Sequence, residues 1–425
     1  MRKIIALALA LLLLALPLFQ GAIASEMLTM EKALQAAMSE NPSLAAASYA
    51  TDAAFARPPQ AATPPDPTFM VQFSQVPINT IDVDQGMITY MVQQQIPFPS
   101  KLVYGYKAEK RAAEAAISSE AMTAQELKRL VKLAYLDIWR LQEEERIERR
   151  TISIYRQNKG AAETAYASLK GSVADPVRAA VDLGDIEAHL ALLEQDRIGA
   201  LAKLSAMMND TLDPETRVAT PPSLPKALSV SALVEKAKAV RPEIGISEKM
   251  IESQSARVGL AKSQYAPDLT LRWGYDDRPN QQNAWTGRVM VSVPLFSLSK
   301  QRFGVRESNA LLYRAKSLNE ETVLMTKAEI KTSYARLNAA KKRVSIYSQQ
   351  VVPRARTLLS SSEEAYRAGN GDFLSIVDSI RSLNNAELSL IRARTDAHKA
   401  YADLERAVGV TPAETRPEQG RREDS

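Results

Sequence analysis

Ile88-Thr89-Tyr90-Met91-Val92-Gln93-Gln94-Gln95-Ile96-Pro97-Phe98-Pro99-Ser100-Lys101 governs how the chain is read, because its pattern changes period at the prolines. Before Pro97, Ile88, Tyr90 and Val92 alternate with Thr89, Met91, Gln93 and Gln95, which gives a strand one apolar and one polar face. After Pro99 no proline recurs until Pro176, and the residues between are rich in Ala, Leu, Lys, Glu and Arg, the strong helix formers. Leu127, Leu130, Ala134, Ile138 and Leu141 are spaced 3, 4, 4 and 3 apart, close to coiled-coil periodicity. A helix over residues 100–169 would measure about 105 Å at ~1.5 Å per residue, a rod that no compact domain needs.

The plan occurs twice. Asn41-Pro42-Ser43-Leu44 matches Arg241-Pro242-Glu243-Ile244 and Pro67-Thr68-Phe69 matches Pro267-Asp268-Leu269, both at a spacing of 200. Ile96-Pro97 matches Val293-Pro294 at 197, Tyr135 matches Tyr334 at 199, and Ala165-Tyr166 matches Ala365-Tyr366 at 200. We read two repeats, 25–210 and 229–410, joined by an ordered proline-rich linker, 211–228. Each is expected to hold a helix (29–57, 231–264), a β-hairpin (67–96, 268–294) and a long helical hairpin with its turn at Lys170-Gly171-Ser172 or Gly369-Asn370-Gly371. The second long helix carries its own heptad stripe, Leu311, Ala315, Leu318, Thr322 and Met325. The return helices, 173–208 and 372–408, are half as long as the rod. They are expected to stack end to end with the first helices, which leaves the hairpin turns far from the strands.

All four strands have one apolar and one mostly polar face: Phe69, Val71 and Phe73 in the first, Leu269, Leu271, Trp273 and Tyr275 in the third, Val289, Val291 and Val293 in the fourth. This is the length and pattern of a lipid-facing barrel strand, and a soluble sheet covering a core shares it. Four strands cannot close a barrel, and their open edges would be unsatisfied in lipid. Several copies are therefore expected to share one barrel, of 8, 12 or 16 strands for two, three or four copies.

Composition narrows the function. The 425 residues contain no Cys and two His, His189 and His398, which excludes disulfides, thiolate metal sites and a Cys nucleophile and argues against a histidine metal centre. Both His are expected on helix surfaces. The 13 Met are scattered, without the clustering of a soft-metal chain. No nucleophile elbow, Walker or dinucleotide motif is present, so neither an enzyme nor a cofactor is expected. Arg2 and Lys3, the apolar run 4–19 and Ala22-Ile23-Ala24 read as a signal peptide over 1–24, and after Phe19 no run of about 18 apolar residues follows. The formal charge of +5 comes from acidic and basic residues interspersed along helical faces, which gives no basis for nucleic-acid binding. The tail 411–425 is polar and expected to be disordered.

The duplicated plan, Gln95-Ile96-Pro97-Phe98-Pro99-Ser100-Lys101, Val352-Pro353-Arg354-Ala355, and Tyr366-Arg367-Ala368-Gly369-Asn370-Gly371-Asp372-Phe373-Leu374 together resemble the TolC-like outer-membrane efflux family, most closely its heavy-metal-efflux branch. The resemblance covers the chain to about Val410. It implies a mainly α fold with a small β part: a homotrimer with a 12-stranded barrel in the outer membrane of a Gram-negative bacterium and a helical tunnel through the periplasm. Its partners would be outer-membrane lipid, a periplasmic adaptor (membrane fusion protein) and an inner-membrane pump of the resistance-nodulation-division type. Heavy-metal cations or drugs would be the cargo.

By matching, Ser168, Leu169, Lys170, Gly171, Ala368, Gly369 and Asn370 would form the adaptor-contact tips, with Leu169 standing where the family usually has Gly. Asp175 and Tyr366 would latch neighbouring hairpins, while Gly371 lacks the family's latch Arg. Asp378 would ring the periplasmic constriction, and Ser375 stands where a second ring carboxylate often sits. Converging carboxylates repel, raise one another's pKa and attract cations. From the residues alone, Asp378 reads as a solvated helical residue, and Asp175-Pro176 as an N-cap followed by Pro at N1. Pro353 is expected to bend the second long helix and make its hairpin the more mobile. Arg272 and Arg288, on polar strand faces, would line the barrel lumen, favouring anions or pairing with carboxylates in loops 76–86 and 276–284. Two other functions share much of this pattern: an outer-membrane duct for type I protein secretion, and an exported coiled-coil scaffold with a soluble β cap.

Overall fold

The computed structural model describes residues 27–74, 86–169, 171–225, 229–278 and 281–409. The leader 1–24, the tail 411–425, Lys170 and most of loop 76–86 lie outside the described residues. Three short helices, α1 (Met30–Glu40), α2 (Pro42–Phe55) and α3 (Arg57–Ala62), lead to β1 (Thr68–Ser74) and β2 (Met87–Ile96). Then come the rod α4 (Pro99–Ala167) and its return, α5 (Ala174–Met208). The order repeats as α6 (Val230–Val240), α7 (Pro242–Ser263), β3 (Asp268–Asp277), β4 (Ala284–Ser292), α8 (Gln301–Ile346), a π-turn (Tyr347–Val351), α9 (Val352–Arg367) and α10 (Phe373–Val408).

The helices expected over 29–57 and 231–264 are each broken at an X-Pro step. Asn41 (φ −70°, ψ 123°) and Arg241 (φ −73°, ψ 123°) are extended, because the proline ring clashes with a helical residue before it. Both then serve the same neighbour. Asn41 Nδ2 donates to the Met207 carbonyl (2.8 Å) and Arg241 Nη1 to that of Ala407 (2.9 Å), satisfying the ends of α5 and α10.

Pro353 does not end its rod either. The Val352 N–H bonds the carbonyl of Tyr347, five residues back, so a widened turn carries the helix past the residue that lacks a donor. The first heptad stripe is only partly a seam: Leu127, Ile138 and Leu141 are buried, whereas Leu130 is exposed. In the second, Leu311, Leu318 and Met325 face outward, and Thr326, Ile330, Ser333 and Leu337 pack inward instead.

The described part of the linker, 211–225, packs against the rod. Val218 forms a parallel bridge with Leu28 and exchanges hydrogen bonds with the Gln142 amide, and the Tyr135 hydroxyl donates to the carbonyls of Leu28 (2.9 Å) and Ala219 (2.8 Å). Around these contacts Leu127, Val131, Ile138, Trp139, Leu201 and Leu204 form the mid-rod core. A second core, including Tyr155, Val352, Phe373, Ile376 and Ile380, holds the hairpins together toward their turns. His398 corrects the surface assignment. It is half-buried edge-on to Trp139 (6.3 Å), and burial lowers its pKa.

The strands form one antiparallel sheet in the order β1-β2-β3-β4. Among the described residues no helix is long and apolar enough to cross a membrane.

Candidate functional site

The sheet sorts its side chains by register. On one face Val71, Tyr90, Tyr275 and Trp285 form a row across all four strands, with Phe69, Val92 and Trp273 forming the next. Phe69, Val71, Trp273, Trp285, Val289 and Val291 are all more than half exposed, although a water-soluble sheet would cover such a surface. The Tyr275 and Trp285 rings lie tilted at 5.0 Å and Trp273 meets Trp285 edge-on at 6.1 Å, which places an aromatic cluster at the hairpin-loop end of the sheet.

The other face is polar. Arg272 lies in register with Gln93 and Arg288 and donates to Gln93 Oε1 through Nε (3.0 Å) and Nη2 (2.5 Å). Among the described residues neither arginine pairs with a carboxylate; Asp276, four residues further along β3, is bound to Thr89 (2.7 Å), Thr286 (3.1 Å) and Arg278 (3.3 Å). Pairing with carboxylates in loops 76–86 and 276–284, one of the two roles expected of these arginines, is not seen among the described residues, which leave out most of loop 76–86.

At the far end the two helical hairpins turn alike. Leu169 (φ 58°) and Gly369 (φ 76°) both occupy the left-handed region. In the second turn the Asn370 N–H reaches back to the Ala365 carbonyl (3.0 Å) in a Schellman closure. Leu169 is 95% exposed, and Ser168, Ala368, Gly369 and Asn370 are exposed with it, while Gly171 is half-buried against Ala165 and Tyr166. Asp175 is not the N-cap. It lies inside α5 and its Oδ2 accepts the Ser172 N–H (3.2 Å), while Ser172 Oγ accepts from the Ala174 N–H (3.2 Å), a reciprocal capping arrangement. Tyr366 packs edge-on to Phe373 (5.7 Å), and its hydroxyl, buried and without a hydrogen bond among the described residues, is raised in pKa by burial and then by the charge of Asp175.

Ser375, Asp378 and Arg381 share one exposed face of α10 at intervals of three. Arg381 lies 3.8 Å from Asp378 and 2.5 Å from Asp182, a carboxylate on α5 that is 5% exposed and also receives the Tyr155 hydroxyl (3.3 Å). Sequence reasoning missed this clasp between the hairpins. The available signal was an acidic residue among the Ala179, Leu183 and Ile186 positions that α5 packs inward. It also missed the buried carboxylates of mid-α4. There Glu144 meets Arg140 and Arg392, Glu145 meets Arg197 (2.8 Å), and Glu148 meets His189 (3.0 Å). Among the described residues no group of three or more His, Asp and Glu is placed to hold a metal ion.

The outer membrane efflux protein family model matches residues 33–210 and again 233–410. The chain belongs to that family. Among relatives of this outer membrane efflux protein is the cobalt-zinc-cadmium resistance protein CzcC of Cupriavidus metallidurans, 23% identical over 90% of both chains. Outer membrane protein TolC of Vibrio cholerae is 24% identical over 71% of this chain and 72% of its own. The fold is that of the outer-membrane channel OprN (TM-score 0.76, 20% identity, 89% of each chain) and of CusC (TM-score 0.76, 15% identity, 89% of this chain and 92% of that one). An outer membrane efflux protein is a transport component and not an enzyme.

Proposed function

We propose that three copies of this outer membrane efflux protein pool their sheets into a 12-stranded barrel on a periplasmic α-helical tunnel. The duct is the passive exit of a tripartite system, joined through an adaptor to an inner-membrane pump of the resistance-nodulation-division type. The observation that carries this is a four-stranded sheet with its apolar face exposed and with β1 and β4 at its edges, each lacking a second neighbouring strand among the described residues. In lipid such edges must pair, and only closure satisfies them. The outward stripe Leu311, Leu318 and Met325 supports subunit packing along the tunnel as well. The two matched segments, 33–210 and 233–410, support reading the chain as a duplicated unit.

In this reading Ser168 to Gly171, with Lys170, and Ala368 to Asn370 meet the adaptor, and Asp175 and Tyr366 latch the shut end. Asp378 lines the constriction. The likeness to CzcC and CusC supports heavy-metal cations as cargo. Outer membranes extracted with detergent should yield a trimer that conducts ions in planar bilayers. A monomer soluble without detergent would refute the reading.

A further inference from the structure

We infer that the link between β4 and α8, residues 293–300, is a membrane anchor that seats each subunit at the boundary of headgroups and acyl chains in the periplasmic-side leaflet. The inference rests on the barrel reading. Leu295, Phe296 and Leu298 are 82%, 77% and 77% exposed, more than the strand residues Val289 and Val291 that precede them. They do not sit on a loose loop. The Phe296 carbonyl accepts from the N–H groups of Ser299 (3.1 Å) and Lys300 (2.8 Å) and from Ser299 Oγ (3.2 Å), and the Arg302 N–H reaches Ser297 (2.9 Å). A backbone this well tied holds three large apolar side chains out into the surroundings.

The two repeats differ here. In the first, three residues separate Pro97 from Lys101, α4 starts at Pro99, and the Lys101 ammonium is bound to Asp268 (2.7 Å). In the second, five residues separate Pro294 from Lys300, and the extra length forms the turn. The alternation of outward residues that begins with Val289 and Val291 on β4 runs on through Val293 into Leu295, so the apolar surface continues from the sheet into the link. Lys300 and Arg302 interrupt it at the start of α8, with Phe303 the next exposed apolar side chain. Apolar side chains followed at once by cations are what the headgroup boundary accepts, the former in the acyl region and the latter at phosphate level. The aromatic row of Trp285 and Tyr275 marks the opposite end of the same sheet, so each subunit would be held at both membrane surfaces.

The natural chain has no Cys, so single labels can be placed cleanly. Full-length Phe296→Cys, Leu298→Cys, Val289→Cys and Leu169→Cys proteins, each carrying an environment-sensitive fluorophore, are reconstituted in phosphatidylethanolamine–phosphatidylglycerol vesicles. The lipids carry nitroxide either near the headgroup or deep in the acyl chain. We expect labels at 296 and 298 to be quenched about twofold by the shallow nitroxide and less by the deep one, as for a group lying in the interface. The label at 289 should respond to the deep nitroxide, and the label at 169 to neither. Quenching at 289 without quenching at 296 and 298 would overturn the anchor and leave the barrel standing, as would labels at 296 and 298 covered by a neighbouring subunit. No quenching at 289 would overturn the barrel itself.

Discussion

Ser375 donates both its backbone N–H and its hydroxyl to Oδ1 of Asp372, each at 2.8 Å. The matching positions of the first hairpin carry the same two residue types exchanged, Ser172, whose hydroxyl accepts the Ala174 N–H, and Asp175 three residues on, which accepts the Ser172 N–H. Either order satisfies the free N–H groups at a helix start and puts negative charge at its positive end. Ser375, placed by resemblance at the constriction, is therefore engaged in starting α10.

Asp372 makes the second turn sensitive to acid. Its carboxyl is held below the ordinary value of 3.8, first by the Ser375 N–H and then by the Ser375 hydroxyl. A lowered folded-state pKa means that the stabilisation is fully present above the ordinary value and is lost as pH falls through the folded one. Amide protection in the first turn of α10, corrected for intrinsic exchange, should fall over that acidic range. Asp372→Ala should show the lower protection already at neutral pH.

Leu169 occupies a left-handed conformation that costs a residue with Cβ roughly 1 kcal/mol. Leu169→Gly should therefore raise the unfolding midpoint slightly. If the 95% exposed side chain is an adaptor contact, the same substitution should reduce export in cells. Stability and transport would move in opposite directions.

The Arg381–Asp182 clasp ties α10 to α5. Arg381→Ala leaves a buried carboxylate with only the Tyr155 hydroxyl, a loss of roughly 2 kcal/mol given the half-exposed arginine. Single-channel conductance should rise as the hairpins loosen. An Asp182→Asn, Arg381→Ala double-mutant cycle should recover most of that coupling.

Arg288 is exposed on the polar face beside Arg272. Arg288→Glu would pair with Arg272 and reverse the local sign, so reversal potentials across a salt gradient should shift toward cation selectivity, with the oligomeric state of the detergent-extracted protein unchanged.

Tyr135 is raised to about 12, chiefly by burial. A raised folded-state pKa is stabilising below the ordinary value of 10.0, and that contribution disappears as pH climbs from 10.0 to about 12. Tyr135→Phe should remove this alkaline loss. It should also cost about 1–2 kcal/mol at neutral pH, because the carbonyls of Leu28 and Ala219 lose their donor.

The sequence by itself determined the elements. Period-two alternation in 88–96, the proline-free run after Pro99 and the glycines at 369 and 371 are local signals, and the strands, rods and turns lie within a few residues of where those signals put them. It also set which strand face is apolar, since alternation admits only one division. Tertiary structure decided what local pattern cannot encode. The Leu311 stripe faces outward, while the seam with α10 is made further along the same helix by Ile330 and Leu337. Pro353 is carried by a π-turn, and Asp182 finds Arg381 across the hairpins, 199 positions away. A heptad or a lone carboxylate reads the same whether it meets its own chain, a neighbour or water; the helices packed against it make that choice.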